Sequence, residues 1–195
     1  VLQLVHSATD AQNQTYAPTL AQASGFARRP GGVALTTGMY DGQRFSGNDH
    51  AAEIVFTESG RLVLASERAV TTRSFPNVFP AQPDVTVIFE ALIVGHISML
   101  ARLAAAVSHQ WGYTGSWRFA LSMNGLNDSV SWTLADQHFG DGGPIYTENI
   151  YERATEASLD DLDDDPGQVA ADLTAPLLRS LGSYPAWAKR LQRQS

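Results

Sequence analysis

Alternating hydrophobic and polar positions indicate two β-hairpins along the chain. In the first, residues 53–65 show this alternation on both sides of the turn Glu58-Ser59-Gly60. In the second, hydrophobic side chains occupy every second position from Trp117 to Met123, and turn residues follow at 124–128. Its returning strand carries Val130, Trp132 and Leu134. The second pattern predicts aromatic side chains paired across the two strands.

Hydrophobic residues spaced three and four apart predict a long amphipathic helix after the first hairpin. The helix is expected to begin near Val85, with Asp84 as its cap, and to end at Gly112. Its hydrophobic stripe runs from Leu92 to Val107 and includes His96. This stripe predicts that the helix packs against a sheet.

A second helix is predicted near the end of the chain. The segment Asp165-Pro166-Gly167-Gln168 is typical of a helix start, with a cap, a first-turn proline and a capping-box partner. Leucines at helical spacing follow, and Gly182 ends the pattern. A short helix around residues 186–192 is expected after it.

These elements, with further strands at 33–40 and 149–156, follow the order β-β-β-α-β-β-β-α. The sequence therefore predicts an α+β fold in which antiparallel sheet packs against two main helices on one face. Residues 1–24 are polar and without periodicity, which is typical of a flexible arm or linker. Residues 25–182 are expected to form a single α+β domain, and residues 183–195 a short helical tail.

Composition excludes several classes of function. The chain has 195 residues, with 13 basic and 20 acidic side chains and a net charge of −7. Direct nucleic-acid binding needs a basic surface, so with this acidic net charge we expect no direct nucleic-acid binding. The absence of cysteine excludes disulfides, thiolate metal sites and cysteine nucleophiles. No unbroken run of eighteen apolar residues is present, so membrane insertion is not expected.

Catalytic and cofactor motifs do not stand out either. The histidines, which lack the spacing of a zinc site, are His6, His50, His96, His109 and His138. His96 lies on the apolar helix face and is interpreted as a core histidine with its hydrogen bonds made. The aspartates at 160–165 are interpreted as caps of the following helix rather than a calcium site. We therefore predict no catalytic residues, no metal and no cofactor.

An aromatic cluster around the second hairpin is the main candidate for binding. Tryptophan and tyrosine are favoured at binding surfaces, although in an α+β core they are more often simply packed. The candidate ligand-binding residues are Trp111, Tyr113, Trp117, Asn124 and Trp132.

Self-association is the other expected interaction, because the chain carries more apolar surface than one small sheet can cover. We expect a homodimer whose interface includes the helix at 85–110 or the edge of the hairpin at 117–134. The second apolar face predicted for this helix consists of Val87, Ala91, Val94 and Ala105.

Three segments carry a resemblance to a known family. They are GFARRPGGVALTT at 25–37, WGYTGSW at 111–117 with Leu121 and Asn124-Gly125-Leu126, and the stretch from Asp165-Pro166 to LLRSLG at 177–182. In this order they resemble the C-terminal region of actinobacterial proteins that carry a Schlafen/AlbA-type DNA-binding domain. The resemblance spans roughly residues 25–182 and offers no catalytic residue to carry over.

The resemblance implies a cytoplasmic bacterial regulatory protein whose DNA-binding segment would lie upstream. We therefore expect a non-catalytic accessory domain that senses a small-molecule ligand or associates with itself. The alternative is a small hydrolase or transferase with a carboxylate–histidine site. The residues whose position relative to a pocket separates the two are His138, Glu148 and Glu152.

Overall fold

The computed structural model describes residues 25–29, 31–37, 52–66, 69–74, 84–137 and 141–191. They form helices together with antiparallel and mixed sheets, so the predicted α+β class is confirmed. The predicted arm at 1–24 lies outside these residues.

The chain divides into two compact units. Unit 1 comprises Val1–Arg68 and Gly95–Thr114, and unit 2 comprises Ala69–Val94 and Gly115–Ser195. The single domain expected over 25–182 stays a prediction, and the two units are described in turn.

Unit 1 contains a four-stranded antiparallel sheet, in which consecutive strands are neighbours. Its strands are β1 (Gly25–Arg29), β2 (Gly32–Thr37), β3 (Ala52–Thr57) and β4 (Leu62–Ser66). The predicted first hairpin is confirmed as β3 and β4, because Ile54 lies opposite Leu64 and Phe56 opposite Leu62. The alternation places these side chains on one face of the sheet.

The long helix α1 (Glu90–Trp111) supplies the other half of the unit 1 core. Met99 and Leu103 are fully buried and pack with Leu35 and Ile54 of the sheet. Leu100 and Val107, one turn away on the same stripe, complete this cluster. Of the predicted stripe, Leu100, Leu103 and Val107 lie on the face of α1 that covers the sheet, together with Met99, which the stripe did not include.

By length and composition, α1 is the one helix among the described residues that could cross a membrane. Most of its apolar stretch is buried inside the chain, as in the core helix of a soluble protein. The hydrophobicity of α1 is therefore explained by core packing.

Unit 2 contains a mixed three-stranded sheet and a separate antiparallel strand pair. The first has the order β5 (Val70–Arg73), β6 (Val85–Ile88) and β8 (Val130–Ser131), with β8 parallel to β6. The second pairs β7 (Trp117–Asn124) with β9 (Ile150–Ala157) over eight residues. Its helices are α2 (Trp132–Gln137), α3 (Leu159–Asp164), α4 (Gly167–Ser180) and α5 (Tyr184–Leu191).

The predicted start of the first helix is wrong. Val85 to Ile88 form strand β6, and α1 begins only at Glu90. Three of these four residues are β-branched valine or isoleucine, and the fourth is threonine, so all four favour a strand. Asp84 caps no helix here; it accepts a hydrogen bond of 2.5 Å from the Ser74 hydroxyl.

The predicted second hairpin is also wrong in its returning strand. Strand β7 pairs with β9, while Trp132 and Leu134 lie in helix α2. Gly125 and Asp128 have positive φ angles, so the chain does turn where expected. The alternation of Val130, Trp132 and Leu134 is too short to distinguish a strand from a helix start.

The terminal helices lie where the sequence pattern predicts them, but the capping box predicted from Asp165 and Gln168 is wrong. Pro166 is the N-cap and makes no side-chain hydrogen bond to the helix, and the Gln168 amide donates to Asp172 at 2.6 Å instead. Helix α4 begins at Gly167, whose backbone N–H donates to the Asp165 carboxylate at 2.9 Å. The short helix expected near 186–192 is present as α5. Strand β9 matches the strand predicted at 149–156 within one residue.

Candidate functional site

The most elaborate polar network in unit 2 is centred on Glu90, at the start of α1. Glu90 is 1% exposed, and its carboxylate accepts a hydrogen bond from the Ser131 hydroxyl. It also accepts two hydrogen bonds of 3.1 Å from Thr133, one from the backbone N–H and one from the hydroxyl. The Thr133 hydroxyl in turn accepts a hydrogen bond of 3.0 Å from the Trp187 indole. This carboxylate therefore joins α1, α2 and α5.

The network serves to start helix α2. Ser131 is the residue before the helix, and its hydroxyl accepts the backbone N–H of Leu134 at 3.1 Å. Glu90 satisfies a second N–H of the first turn, where backbone donors lack helical partners. Because three donors occupy the Glu90 carboxylate, its arrangement is that of a structural cap.

Trp132, a candidate ligand-binding residue, packs inside unit 2 beside this network. The Phe89 ring stacks on it with centroids 5.2 Å apart, and the Arg73 guanidinium lies 5.9 Å from its ring centre. Stacking and cation–π contact account for an aromatic side chain at this position.

Trp111 and Tyr113 lie at the end of α1 in unit 1 and are 63% and 46% exposed. Gly112 between them has a φ of +67°, and the Tyr113 N–H donates to the Ser108 carbonyl at 2.9 Å. This is the bonding of a Schellman cap. The cap holds the backbone of both aromatic residues in one conformation.

Trp117 and Asn124 are the first and last residues of β7 and lie opposite Ala157 and Ile150 of β9. An eight-residue strand is about 24 Å long, so one small ligand does not contact both. The structure therefore separates these two candidates along the strand.

An acidic cleft of about 350 Å³ lies in unit 2. Its lining residues are Glu156, Ala157, Asp161, Asp164, Asp165, Gln168, Val169 and Asp172. Asp161 forms a capping box with Ser158, whose hydrogen bonds lower the pKa of this aspartate. Asp172 accepts hydrogen bonds from Gln168 at 2.6 Å and from Thr155 at 3.1 Å. The prediction that the run at 160–165 caps the following helix is wrong for most of the run, because residues 160–164 lie within helix α3. Asp165 alone accepts an N–H at the start of α4.

Within the described part of the chain, histidine and carboxylate side chains form no group of three suited to a metal ion. Of the residues named for a hydrolase or transferase, His138 lies outside the described residues. Glu148 and Glu152 are exposed and do not line the acidic cleft.

His96 is a core residue, as predicted, but its ring is not satisfied. The side chain is 6% exposed, and its Nε2 has no hydrogen-bond partner among the described residues. Burial lowers the pKa of His96 to about 4. The imidazole is therefore neutral at pH 7.

The second apolar face predicted for the long helix is not available for a partner. Val94 and Ala105 are buried within the chain, and Val87 is buried in strand β6 rather than in the helix. Exposure is a requirement for a docking surface, so this part of the dimer expectation is corrected.

The open edges of the β7–β9 pair are the feature that the sequence pattern did not reveal. Each strand pairs with the other and with no further strand among the described residues. From Arg118 to Asn124, no backbone hydrogen bond to a partner outside this pair occurs within the described structure. Among the described residues, the backbone N–H and C=O groups on the side of β7 that faces away from β9 therefore have no strand partner.

Helix α4 covers one face of this strand pair. The Tyr151 hydroxyl donates to the Leu173 carbonyl at 2.7 Å, and Phe119 and Met123 of β7 are buried on the same side. The opposite face carries exposed side chains from both strands. They are Arg118, Ala120, Ser122 and Asn124 on β7, and Ile150, Glu152, Ala154 and Glu156 on β9.

Comparison of the chain with protein-family models, with curated proteins and with solved structures yields no match. The resemblance to the C-terminal region of Schlafen/AlbA-type proteins accordingly stays a prediction.

Proposed function

We propose that this chain is a non-catalytic accessory domain of a cytoplasmic bacterial regulatory protein, and that its task is self-association. The open edges of the β7–β9 pair carry this proposal. The regulatory context and the compartment come from the sequence resemblance alone.

Additional strands stabilise a two-stranded sheet substantially. An isolated strand pair is marginal in water, and strands as long as eight residues are above the usual five or six. Backbone groups on such an edge form hydrogen bonds with any strand that aligns beside it. Pairing two copies through their edges satisfies these groups and extends the sheet to four strands.

Self-association fits this surface better than small-molecule binding. Small-molecule sites are concave and enclose most of the ligand, whereas a strand edge is linear and open. The polar groups that face outward also repeat along the strand, which suits another extended backbone. A second copy of the chain supplies such an extended backbone, and it is present wherever the chain itself is present.

Light scattering after size exclusion of the full chain at micromolar concentration tests this proposal. We expect a species of about 42 kDa, twice the 21.1 kDa chain, which dissociates on dilution. A mass of 21.1 kDa across the whole concentration range would overturn it.

A further inference from the structure

We infer that two copies pair through β7, antiparallel about a two-fold axis, with Ala120 facing Ala120 of the second copy. The resulting four-stranded sheet has the order β9-β7-β7-β9. This inference rests on the proposed self-association and specifies which edge and which register produce it.

Charge separates the two available edges. Between Arg118 and Asn124, strand β7 carries one charged residue, whereas β9 carries Glu152, Arg153 and Glu156. Antiparallel pairing of β9 with itself centred on residue 152, 153 or 154 places like charges directly opposite each other. The pairs are Glu152–Glu152, Arg153–Arg153 or Glu152–Glu156, all of which are unfavourable. The β7 edge has no such conflict.

The pleat restricts the register of β7. Residues directly opposite each other in a sheet lie on the same face, so a self-pairing must match inward positions with inward positions. Centring on Ala120 places Phe119 opposite Leu121 and Trp117 opposite Met123 of the second copy. Both pairs are apolar, and an aromatic ring beside methionine sulfur is a favourable contact.

The outer face favours the same register through charge. Centring on Ala120 places Arg118 opposite Ser122 of the second copy. Within each copy, the Ser122 hydroxyl donates a hydrogen bond of 3.1 Å to the Glu152 carboxylate. Within its own chain, Arg118 lies opposite Glu156. Each Arg118 guanidinium therefore has a carboxylate on either side, and two-fold symmetry repeats the arrangement.

Disulfide cross-linking tests this pairing, because the chain contains no cysteine. In Ala120→Cys, the two thiols face each other across neighbouring strands, about 5 Å apart at Cα, which matches disulfide geometry. Ala154→Cys is the matched control, since Ala154 is also exposed and lies directly opposite Ala120 on β9. Its thiols would lie about 14 Å apart, three strand spacings, and do not bridge.

Both variants are oxidised with copper phenanthroline and separated on a non-reducing gel, with the mass of the reduced proteins measured in parallel. We expect a cross-linked dimer for Ala120→Cys and little for Ala154→Cys. If the wild-type chain is dimeric but Ala154→Cys cross-links equally well, or Ala120→Cys does not cross-link, this pairing is wrong while self-association stands. A monomeric wild-type chain would overturn both.

A second variant addresses the exposed aromatic residues. Trp111→Ser removes the largest exposed apolar side chain among the described residues of unit 1 and leaves β7 unchanged. The β7 pairing predicts an unchanged dimer mass for this variant. Loss of the dimer would place the interface at the end of α1 and overturn the pairing.

Discussion

Glu90 connects three segments of unit 2 through one buried carboxylate. Its replacement by alanine leaves the Ser131 hydroxyl and the Thr133 N–H and hydroxyl without their acceptor. Buried donors that lose their partner cost about 1–3 kcal/mol each, partly offset by relaxation. We expect Glu90→Ala to lower the free energy of unfolding by about 3 kcal/mol, within the range of severe single substitutions.

Urea unfolding followed by circular dichroism measures this loss. Glu148→Ala is the control, because Glu148 is exposed and its replacement should change stability by less than about 0.5 kcal/mol. Equal effects of the two substitutions would show that the Glu90 network contributes little to stability.

His96 makes the stability of the fold depend on pH. Its pKa is about 4 in the folded chain and close to 6.5 when unfolded, so the unfolded state binds the proton more tightly. Stability is therefore fully present above the unfolded pKa and falls as the pH decreases toward 4. From pH 7 to pH 5 the loss attributable to His96 is about 2 kcal/mol.

His96→Leu removes this contribution, because leucine does not titrate and suits the apolar face of α1. We expect the stability of the variant to fall less than that of the wild type between pH 7 and pH 5, in chemical denaturation. The exposed His109 provides the control His109→Gln, which should retain the wild-type slope. Identical slopes for His96→Leu and the wild type would contradict the buried, neutral histidine.

At the scale of elements, the end of α1 depends on the conformation of Gly112. Its φ of +67° lies in the left-handed region, and no atom lies within 4 Å of the position that a Cβ would occupy. Gly112→Ala therefore imposes backbone strain without a clash and should cost about 1 kcal/mol.

Thermal or urea unfolding checks this value against Gln110→Ala. Gln110 is exposed in the same last turn, and alanine is a good helix former, so this control should be near neutral. A stability for Gly112→Ala equal to that of the control would contradict the capping role.

The elements that the sequence predicted well are those whose hydrophobic pattern can be seen within about twenty consecutive residues. The hairpin of β3 and β4 and the stripe of α1 follow from periodicity alone, because each exposes one apolar face to the same core. The start of α4 is equally local, since the Asp165 carboxylate accepts the N–H of Gly167, two residues further along the chain.

The elements that were predicted wrongly depend on distant partners. Helix α2 begins where Glu90, 41 residues earlier in the chain, supplies an acceptor for Ser131. Strand β7 selects β9 as its partner, about 30 residues away, although Val130 lies nearer in sequence. The hydrophobic alternation of β7 identified its buried face, but alternation carries no information on which strand lies beside it.

The same limit applies to the candidate site. Aromatic residues that are close in sequence suggested one ligand site, whereas Trp132 packs with Phe89 and Trp117 lies at one end of β7. The open edge follows only from knowing that β9 is the single partner of β7 among the described strands. The sequence analysis named the edge of the segment 117–134 as an expected interface, but it did not reveal which backbone groups lie along that edge.

At the scale of the whole molecule, the charge on β7 should control association. In the paired sheet, Arg118 lies between Glu156 of its own chain and Glu152 of the second copy. The pair with Glu156 lies within one chain and is present in the monomer as well, so it does not change association. Arg118→Glu replaces the attraction to Glu152 of the second copy, one strand beyond Ser122, by repulsion at two symmetric positions, and each such charge contact contributes up to about 1 kcal/mol. We expect the dimer dissociation constant to rise about tenfold or more.

Sedimentation equilibrium at moderate salt measures this constant. Arg153→Glu is the matched control, because Arg153 is exposed on β9 and has the same charge. Its replacement should change the dissociation constant by less than about twofold, as expected for an exposed charge outside the interface. Equal weakening by both substitutions would indicate an effect of net charge rather than of the β7 edge.

Amide hydrogen exchange at low and high protein concentration tests the β7 pairing most directly. The paired sheet places the outward N–H groups of residues 118–124 in hydrogen bonds between copies, so exchange in this segment should slow as the concentration rises. Residues 150–157 of β9 and the end of α1 should exchange at the same rate throughout. Unchanged exchange in β7, or slowing confined to β9 or to Trp111 and Tyr113, would contradict self-association through this edge.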